Sequence, residues 1–498
     1  MTSDSPFPTC QGGDLGGREF VLFLTLLLIC RFALSAWLPI MDFTEARYAE
    51  IARNIAARGD WVTLWFLADQ PFWGKPPLAF WSVASTYLLG GVGEFTTRLS
   101  STVYTAATAG LIWHFGNHLY QRGRVAVIIY LSTLLTIHTS GSILTDPAMV
   151  FGTTLTMVAF WHAIRTGNAL WGYLVWIGLA IGALAKGPVA LVLCGFAAGI
   201  WVVAGSHWRD FFGRFFGHGR WVTGPMLLVV LVGPWYWLAE QATPGFLDYF
   251  IVGEHWQRFV VSNWEGDLYG SVKDRPIGTV WIFLAVAFMP WTLFVVAWVR
   301  SNAKLLQRLL LSKNDGDLLR YLLLWAIVPA VFFTPARNII VTYVMPAIPA
   351  LSLLVTAFAS TTPQMHTTLA RIASASVLVY TVAVLALYYT YFEDHRYNRK
   401  GMAELYLAMN AKDPGHLFVA GKPKFSLLFY TGGNVTFFGY RAKRYDAPRS
   451  THYVATPDRW FDSIVRGLPE RCLLVTRGTD LSLFHCPGKG AQGTVDTP

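Results

Sequence analysis

Polar and apolar positions fall in long blocks along this chain, with short polar breaks between them. Phe20–Leu38 is the first apolar block, interrupted only at Cys30-Arg31. Others follow at Leu99–Leu119, Val125–Ser142, Ala148–Ile164, Leu170–Ala185, Ala190–Ala204 and Thr223–Leu238. Four more lie at Thr279–Val299, Leu322–Phe333, Ile339–Ala359 and Ala373–Tyr391. Each approaches the ~20 residues that carry a helix across a bilayer, so the pattern predicts about eleven spans, within a range of eleven to thirteen. Leu78–Leu89 is apolar but short and reads as a juxtamembrane segment. No small-residue cleavage site follows the first block, which therefore reads as a retained span and not a signal peptide.

The period changes after the first block. Ala46, Ala49, Ala52 and Ile55 recur at helical spacing, with Arg47, Glu50, Arg53 and Arg58 elsewhere around the wheel. This predicts an amphipathic helix lying on a membrane surface. Asp42 and Glu45 stand three residues apart at its start, the spacing of a capping box. From Phe392 onward the long blocks stop. HLFVAGKPKFSLLFYTGGNVTFFGY, CLLVTRG and LSLFHC alternate short apolar runs with Gly and Asn turns, as strands do. The expected organisation is a disordered head over residues 1–17, a transmembrane module over 18–391 with an outer loop at 39–97, and a small soluble α/β domain over 392–498.

Composition agrees with a polytopic helical membrane protein: 54% of residues are hydrophobic and only 14% charged. The net charge of +10 is a topology signal, not a nucleic-acid footprint. Basic residues gather in Tyr120–Arg124, at Arg165, in His207–Arg220 and in Arg300–Arg320, on alternate loops. That side is cytoplasmic by the positive-inside rule. It puts the N-terminus in the cytoplasm and the Asp42–Trp81 loop, Asp146, Lys186, the Pro244–Pro276 loop, Thr334–Asn338 and the C-terminal domain on the outer side. Cys472 and Cys486 share that oxidising side, where they could pair or remain two buried thiols. There is no Walker A motif, no G-x-G-x-x-G, no C-x-x-C and no H-E-x-x-H, so nothing points to nucleotide binding, redox chemistry or zinc proteolysis.

FTEARYAEIARNI, GDWVTLWF and KPPLAFW together resemble the first periplasmic loop of GT-C membrane glycosyltransferases. The resemblance is to the aminoarabinose-transferase-like group, kin to the dolichyl-phosphate-mannose protein mannosyltransferases. SGSILTDPAMVFG, AKGPVALVL, the Gly253–Phe259 stretch and Arg337-x5-Tyr343-x2-Pro346-x2-Pro349 resemble further family pieces in order. Two positions depart. Thr44 stands where relatives carry the first of an adjacent Asp-Glu pair, and Gly74 where they carry Glu before the lysine.

The resemblance implies transfer of a monosaccharide from a polyprenyl-phosphate carrier, with lipid A, another glycan or protein as acceptor, at the periplasmic face of a bacterial inner membrane. A polymerase or ligase of longer glycans is a second enzymatic reading, and a lipid-linked glycan flippase or transporter a third. Lys75, Lys186, Arg258, Arg337 and Tyr343 are the candidates for the donor phosphate, since cations aimed at a leaving phosphate stabilise the charge that develops there. Asp42, Glu45 and Asp146 are the candidate catalytic acids, as a base for a hydroxyl acceptor or as ligands to a divalent metal such as Mg or Mn. No cofactor is otherwise implied. For Asp42, Glu45 and Asp146, helix capping stands beside catalysis as a reading. Membrane snorkelling stands beside phosphate binding for Lys186, and an interfacial aromatic anchor for Tyr343.

Overall fold

The computed structural model describes residues 14–488 except 43, 68, 218, 262–263, 271–273, 312–315, 360–362, 393–398, 439–447, 449, 458–460, 467 and 478–480. The expected disordered head lies largely outside the described residues. The rest is a multi-pass helical bundle with a small sheet domain at its C-terminal end.

The first nine helices carry most of the frame: α1 Gly17–Trp37, α2 Thr44–Arg58, α3 Leu78–Gly90, α4 Glu94–Tyr120, α5 Gly123–Leu131, α6 Leu134–Thr139, α7 Asp146–Thr166, α8 Ala169–Lys186 and α9 Val189–Ala204. All eleven apolar segments fall on helix, but not all as straight spans. Val125–Ser142 breaks into α5 and α6, and the segment from Thr279 bends by 103° between Ala287 and Trp291. By length and hydropathy, six described helices can cross a membrane, or seven if the bent pair is one span. The others are shorter or more polar and pack among neighbours. α3 has only 13 residues, fewer than a straight bilayer-spanning helix needs.

α7 is the axis of the bundle, with 94% of its most apolar window buried. It packs against α8 through glycines. A Cβ on Gly152 would sit 2.7 Å from the Gly178 carbonyl oxygen, and one on Gly178 2.5 Å from the Thr156 hydroxyl. Small residues let helix backbones approach in a membrane, where dispersion drives association. Twenty-one residues make a helix ~31 Å long, so the two ends of α7 lie at opposite faces of the bundle. At one end Asp146 meets Lys186. At the other, Arg165 pairs with Asp317, which also binds His207 at 2.9 Å and lies 3.9 Å from Arg320. Asp146 and Lys186 thus lie at the end of α7 opposite Arg165, His207 and Arg320.

In the first span, Arg31 is buried and turned inward. It donates to the Ile137 carbonyl at 3.0 Å and to Ser35 Oγ at 3.3 Å. This is how an intramembrane cation is tolerated.

The C-terminal domain holds one five-stranded sheet of order β2-β1-β3-β5-β4. Its strands are β1 His416–Ala420, β2 Val435–Phe438, β3 His452–Pro457, β4 Leu473–Arg477 and β5 Leu481–Cys486. β1 is parallel to β2 and β3, while β5 is antiparallel to β3 and β4. The apolar run SLLFY, read as strand-like from sequence, is helical within Phe425–Tyr430. It connects two parallel strands, and a parallel pair needs a crossover, usually a helix. Cys472 and Cys486 are joined by a disulfide.

Candidate functional site

The surface helix α2 buries the stripe its sequence predicts: Ala46, Ala49, Ala52 and Ile55 are all fully enclosed. Its other side is not left on a lipid surface. Phe425, Leu428 and Phe429 of the C-terminal domain enter the same core as Ile40, Ile51, Leu64 and Phe72. Glu50, expected on the polar face, is buried and paired with Arg53 at 2.7 Å.

Asp42 and Glu45 sit at the head of this helix and engage different partners. Asp42 accepts the Ser426 N–H at 3.0 Å and the Ser426 hydroxyl at 2.7 Å. It therefore caps the first turn of the Phe425–Tyr430 helix across the domain contact, not its own helix. Burial raises its pKa above the ordinary carboxylate range, partly offset by the two Ser426 bonds. Glu45 makes a bidentate pair with Arg98 of α4, both bonds at 2.9 Å. Arg98 also donates to the carbonyls of Ser35 (2.9 Å), Leu38 (2.5 Å) and Pro39 (3.1 Å), tying the end of α1 to α4. Neither acid is paired with any of the candidate phosphate cations.

Three of those cations, Lys75, Lys186 and Arg258, do come together, with Tyr343 among them. The A-K-G-P motif supplies Lys186 in the last turn of α8. Gly187, at φ 88°, ends that helix, and Pro188 begins the next. Any Cβ at Gly187 would also collide with Phe250 and His255. Lys186 pairs with Asp146 and lies over the ring of Tyr343, 4.8 Å from its centroid. The His255 ring lies between two carbonyl acceptors, Nδ1 2.7 Å from the Phe250 oxygen and Nε2 3.2 Å from the Lys186 oxygen, and a protonated ring nitrogen donates to either, fastening the Asp248–Gln257 segment to this turn.

That segment carries Glu254, which is buried between two further cations. Lys75 Nζ donates to Glu254 Oε2 at 3.3 Å, and Arg258 Nη1 to the same oxygen at 2.9 Å. Arg258 also lies 3.6 Å from Asp267, and its Nε is buried without a hydrogen-bond partner. Burial alone would raise the pKa of Glu254, but Lys75 and Arg258 hold it below its usual range. Burial likewise opposes the charge on Lys75, and Glu254 overrides it, leaving that ammonium above its usual value. Arg258 is raised too: burial works against its charge, while Tyr343, Glu254 and Asp267 favour it.

The eight sequence-predicted residues thus separate. Lys75, Arg258, Lys186, Tyr343 and Asp146 form one connected cluster. Arg337 sits at an exposed rim, 3.8 Å from Asp274. Asp42 and Glu45 stand at the contact between α2, α4 and the C-terminal domain. The three acids do not converge on a common point. Among the described residues, the one group whose ligand atoms gather closely enough for a metal is His452, Cys472 and Cys486, and those two sulfurs are bonded to each other. A cavity of about 520 Å³ lies beside Arg53, Tyr87, Glu94 and Tyr430, and none of the eight lines it.

Sequence reasoning missed Glu254, Arg98, His255 and Ser426. Glu254 and His255 lie inside the quoted Gly253–Phe259 motif, next to the arginine that drew attention. Arg98 is a lone arginine entering an apolar block, the pattern of an intramembrane ion pair. Ser426 carries no local signal.

Three comparisons bear on this geometry. The family model described as dolichyl-phosphate-mannose-protein mannosyltransferase matches residues 18–250. The crystal structure of ArnT from Cupriavidus metallidurans bound to undecaprenyl phosphate superposes with a TM-score of 0.77, covering 95% of this chain and 99% of that one at 17% identity. The chain thus has the fold of that structure, the GT-C fold. The undecaprenyl phosphate-alpha-4-amino-4-deoxy-L-arabinose arabinosyl transferase of Edwardsiella ictaluri is 28% identical over 349 residues, 68% of this chain and 58% of that protein. The transferase of the same name from Pseudomonas aeruginosa is 29% identical over 325 residues, 64% and 54% respectively. The chain therefore aligns with little more than half the length of these curated relatives. The GT-C match extends over the bundle and the C-terminal sheet domain alike.

Proposed function

We propose that this protein is a polyprenyl-phosphate-dependent glycosyltransferase. It moves a monosaccharide from a lipid-linked donor to an acceptor at the periplasmic face of a bacterial inner membrane. The observation that carries the reading is the gathering of Lys75, Arg258, Lys186 and Tyr343 from four separate parts of the sequence into one partly buried cluster. The transferases to which the chain is similar support it, as does the likeness to a protein solved with undecaprenyl phosphate.

The chemistry follows from the groups present. The bond between the sugar anomeric carbon and the phosphate oxygen breaks, and a bond from that carbon to an acceptor oxygen forms. Polyprenyl phosphate leaves with one more negative charge than it had as the diester. Lys75 and Arg258 stabilise that growing charge, Arg258 with a planar fork suited to phosphate oxygens. Lys186 and the Tyr343 hydroxyl support them. A hydroxyl acceptor must lose a proton during attack, whereas a phosphate acceptor has none to lose. Asp42 and Glu45 are bound to Ser426 and Arg98, and Asp146 to Lys186, so no acid of the three stands unpaired as a base. This favours an acceptor phosphate, as a lipid A-type glycolipid carries. In this reading Asp42 and Glu45 act by holding the first loop and the C-terminal domain in place. A single displacement inverts the anomeric centre.

The test is mass spectrometry of lipid A and surface glycans from cells with and without the protein. A pentose- or hexose-sized mass increment on a glycolipid, present only with the protein, is expected. Unchanged glycolipid and glycan profiles alongside altered distribution of a lipid-linked sugar between leaflets would favour transport instead.

A further inference from the structure

Three cations and three acids meet in the cluster: Lys75, Arg258 and Lys186 against Glu254, Asp267 and Asp146. As the protein stands, each positive charge is already matched. A phosphate entering this set gains little unless one acid yields, because each cation's attraction is already spent on a carboxylate at close range.

The geometry separates the three acids. Asp146 opens α7 and pairs with Lys186, both deeply buried. Asp267 commits Oδ1 to its own turn, accepting the N–H groups of Tyr269 at 3.0 Å and Gly270 at 2.8 Å. Glu254 has no such tie. Its Oε2 accepts from Lys75 and Arg258. Its Oε1 accepts from Arg258 at 3.2 Å and from the Tyr249 hydroxyl at 3.3 Å. Its side chain is 5% exposed, while Lys75 and Arg258 keep 21% and 19%, so the cations still present an open edge. The buried, unpartnered Nε of Arg258 shows that the carboxylates do not satisfy the guanidinium. Any side chain at the position preceding Lys75 would crowd two aromatic rings. A Cβ on Gly74 would lie 2.9 Å from the Phe72 ring and 3.3 Å from Tyr269.

We propose that Glu254 is a built-in substitute for the donor phosphate. Its carboxylate occupies the recognition edge shared by Lys75 and Arg258 when no lipid is bound, and donor phosphate must displace it. The inference rests on the reading of this cluster as the donor-phosphate site. A carboxylate and a phosphodiester each carry one negative charge and offer acceptor oxygens only, so the two compete for the same N–H groups. Glu254 is thus a positioning residue. It keeps two like charges together in the empty protein, and it weakens the hold on the more highly charged leaving lipid phosphate, which helps that product depart.

The test is binding of undecaprenyl phosphate to the purified full-length protein, with undecaprenol, which lacks the phosphate, as the control lipid. Glu254→Gln keeps the shape and one acceptor oxygen but removes the competing charge. It is expected to bind undecaprenyl phosphate at least about fivefold tighter than the wild type, the lower end of typical coupling between competing groups. Undecaprenol binding should not change. With a lipid-linked sugar donor, KM should fall, and kcat should fall with it as product release slows. Glu254→Asp, which keeps the charge but shortens its reach, should show a smaller gain, and it serves if the Gln variant does not fold. Equal or weaker phosphate binding by these variants overturns the proposal, as does a gain of the same size with undecaprenol. If the wild type itself binds undecaprenyl phosphate no better than undecaprenol, the cluster is not a donor-phosphate site and both readings fall.

Discussion

The Asp42 carboxylate accepts both the backbone N–H and the hydroxyl of Ser426, 384 residues further along the chain. This contact makes the C-terminal domain part of the first loop's foundation. Tyr430 and Lys400 add to it. Tyr430 accepts from the Ile40 N–H at 2.7 Å and donates to Glu94 at 3.1 Å, and Lys400 reaches Glu94 at 2.7 Å.

Replacing Asp42 should act on docking before it acts on chemistry. Asn can still accept the Ser426 N–H, and its amide can donate to the Ser426 hydroxyl, so Asp42→Asn should retain most activity. Asp42→Ala loses both bonds and should cost about 1–2 kcal/mol, the scale of a lost helix cap. Limited proteolysis between the bundle and the C-terminal domain, with thermal unfolding, reads the difference. A rate loss of ~10²-fold in Asp42→Asn with unchanged unfolding would instead make Asp42 a catalytic acid.

The raised pKa of Asp42 gives this contact a pH signature. A carboxyl that ionises less readily when folded than when unfolded destabilises the fold at neutral pH. That penalty fades as pH falls through the raised folded value and is gone below the unfolded value near 3.8. The neutral Asn variant never bears it. The melting temperature of Asp42→Asn relative to wild type should therefore be highest near pH 7, and the gap should close on acidification toward pH 4. A gap that widens on acidification contradicts the assignment.

Arg98 should matter to folding more than its place in an apolar helix suggests. It is 3% exposed and holds Glu45 together with three backbone carbonyls. Arg98→Ala leaves Glu45 without its partner, and the loss of one member of such a pair costs about 3–5 kcal/mol. Glu45→Gln keeps an acceptor facing the guanidinium and should cost less. Comparative thermal unfolding in detergent orders the two.

Arg337 separates rim from cluster. Its side chain is 48% exposed and pairs loosely with Asp274. Exposed pairs of this kind contribute about 0–1 kcal/mol, so Arg337→Gln should change donor KM by no more than about fivefold. A far larger effect would place Arg337 against the phosphate in the loaded state.

Much of the frame was legible in the sequence because membrane spans declare themselves by local composition. The eleven apolar blocks, the buried stripe of α2 and strands β4 and β5 all follow from patterns a few residues wide. The motif lysines, Arg258 and Tyr343 were legible one by one, but not their association, which depends on how α7, α8 and the segments that carry Lys75 and Arg258 fold back on one another. The SLLFY run shows where local pattern loses to topology: five mostly apolar residues suit a strand equally well, and only the parallel neighbours require a crossover helix. Asp42 shows the converse. Its spacing to Glu45 fits a capping box, yet its partner is a serine in another domain that no local rule could supply.

The measurement closest to the central claim is transfer from an undecaprenyl-phosphate-linked sugar by the purified full-length protein, with undecaprenyl phosphate release and glycosylated lipid A both followed by mass spectrometry. The wild type should release one undecaprenyl phosphate for each sugar transferred. Lys75→Met keeps much of the side-chain length without the charge and should lower the rate by about 10²-fold or more, as loss of a charge-stabilising donor does. Transfer by Lys75→Met at the wild-type rate would contradict the account.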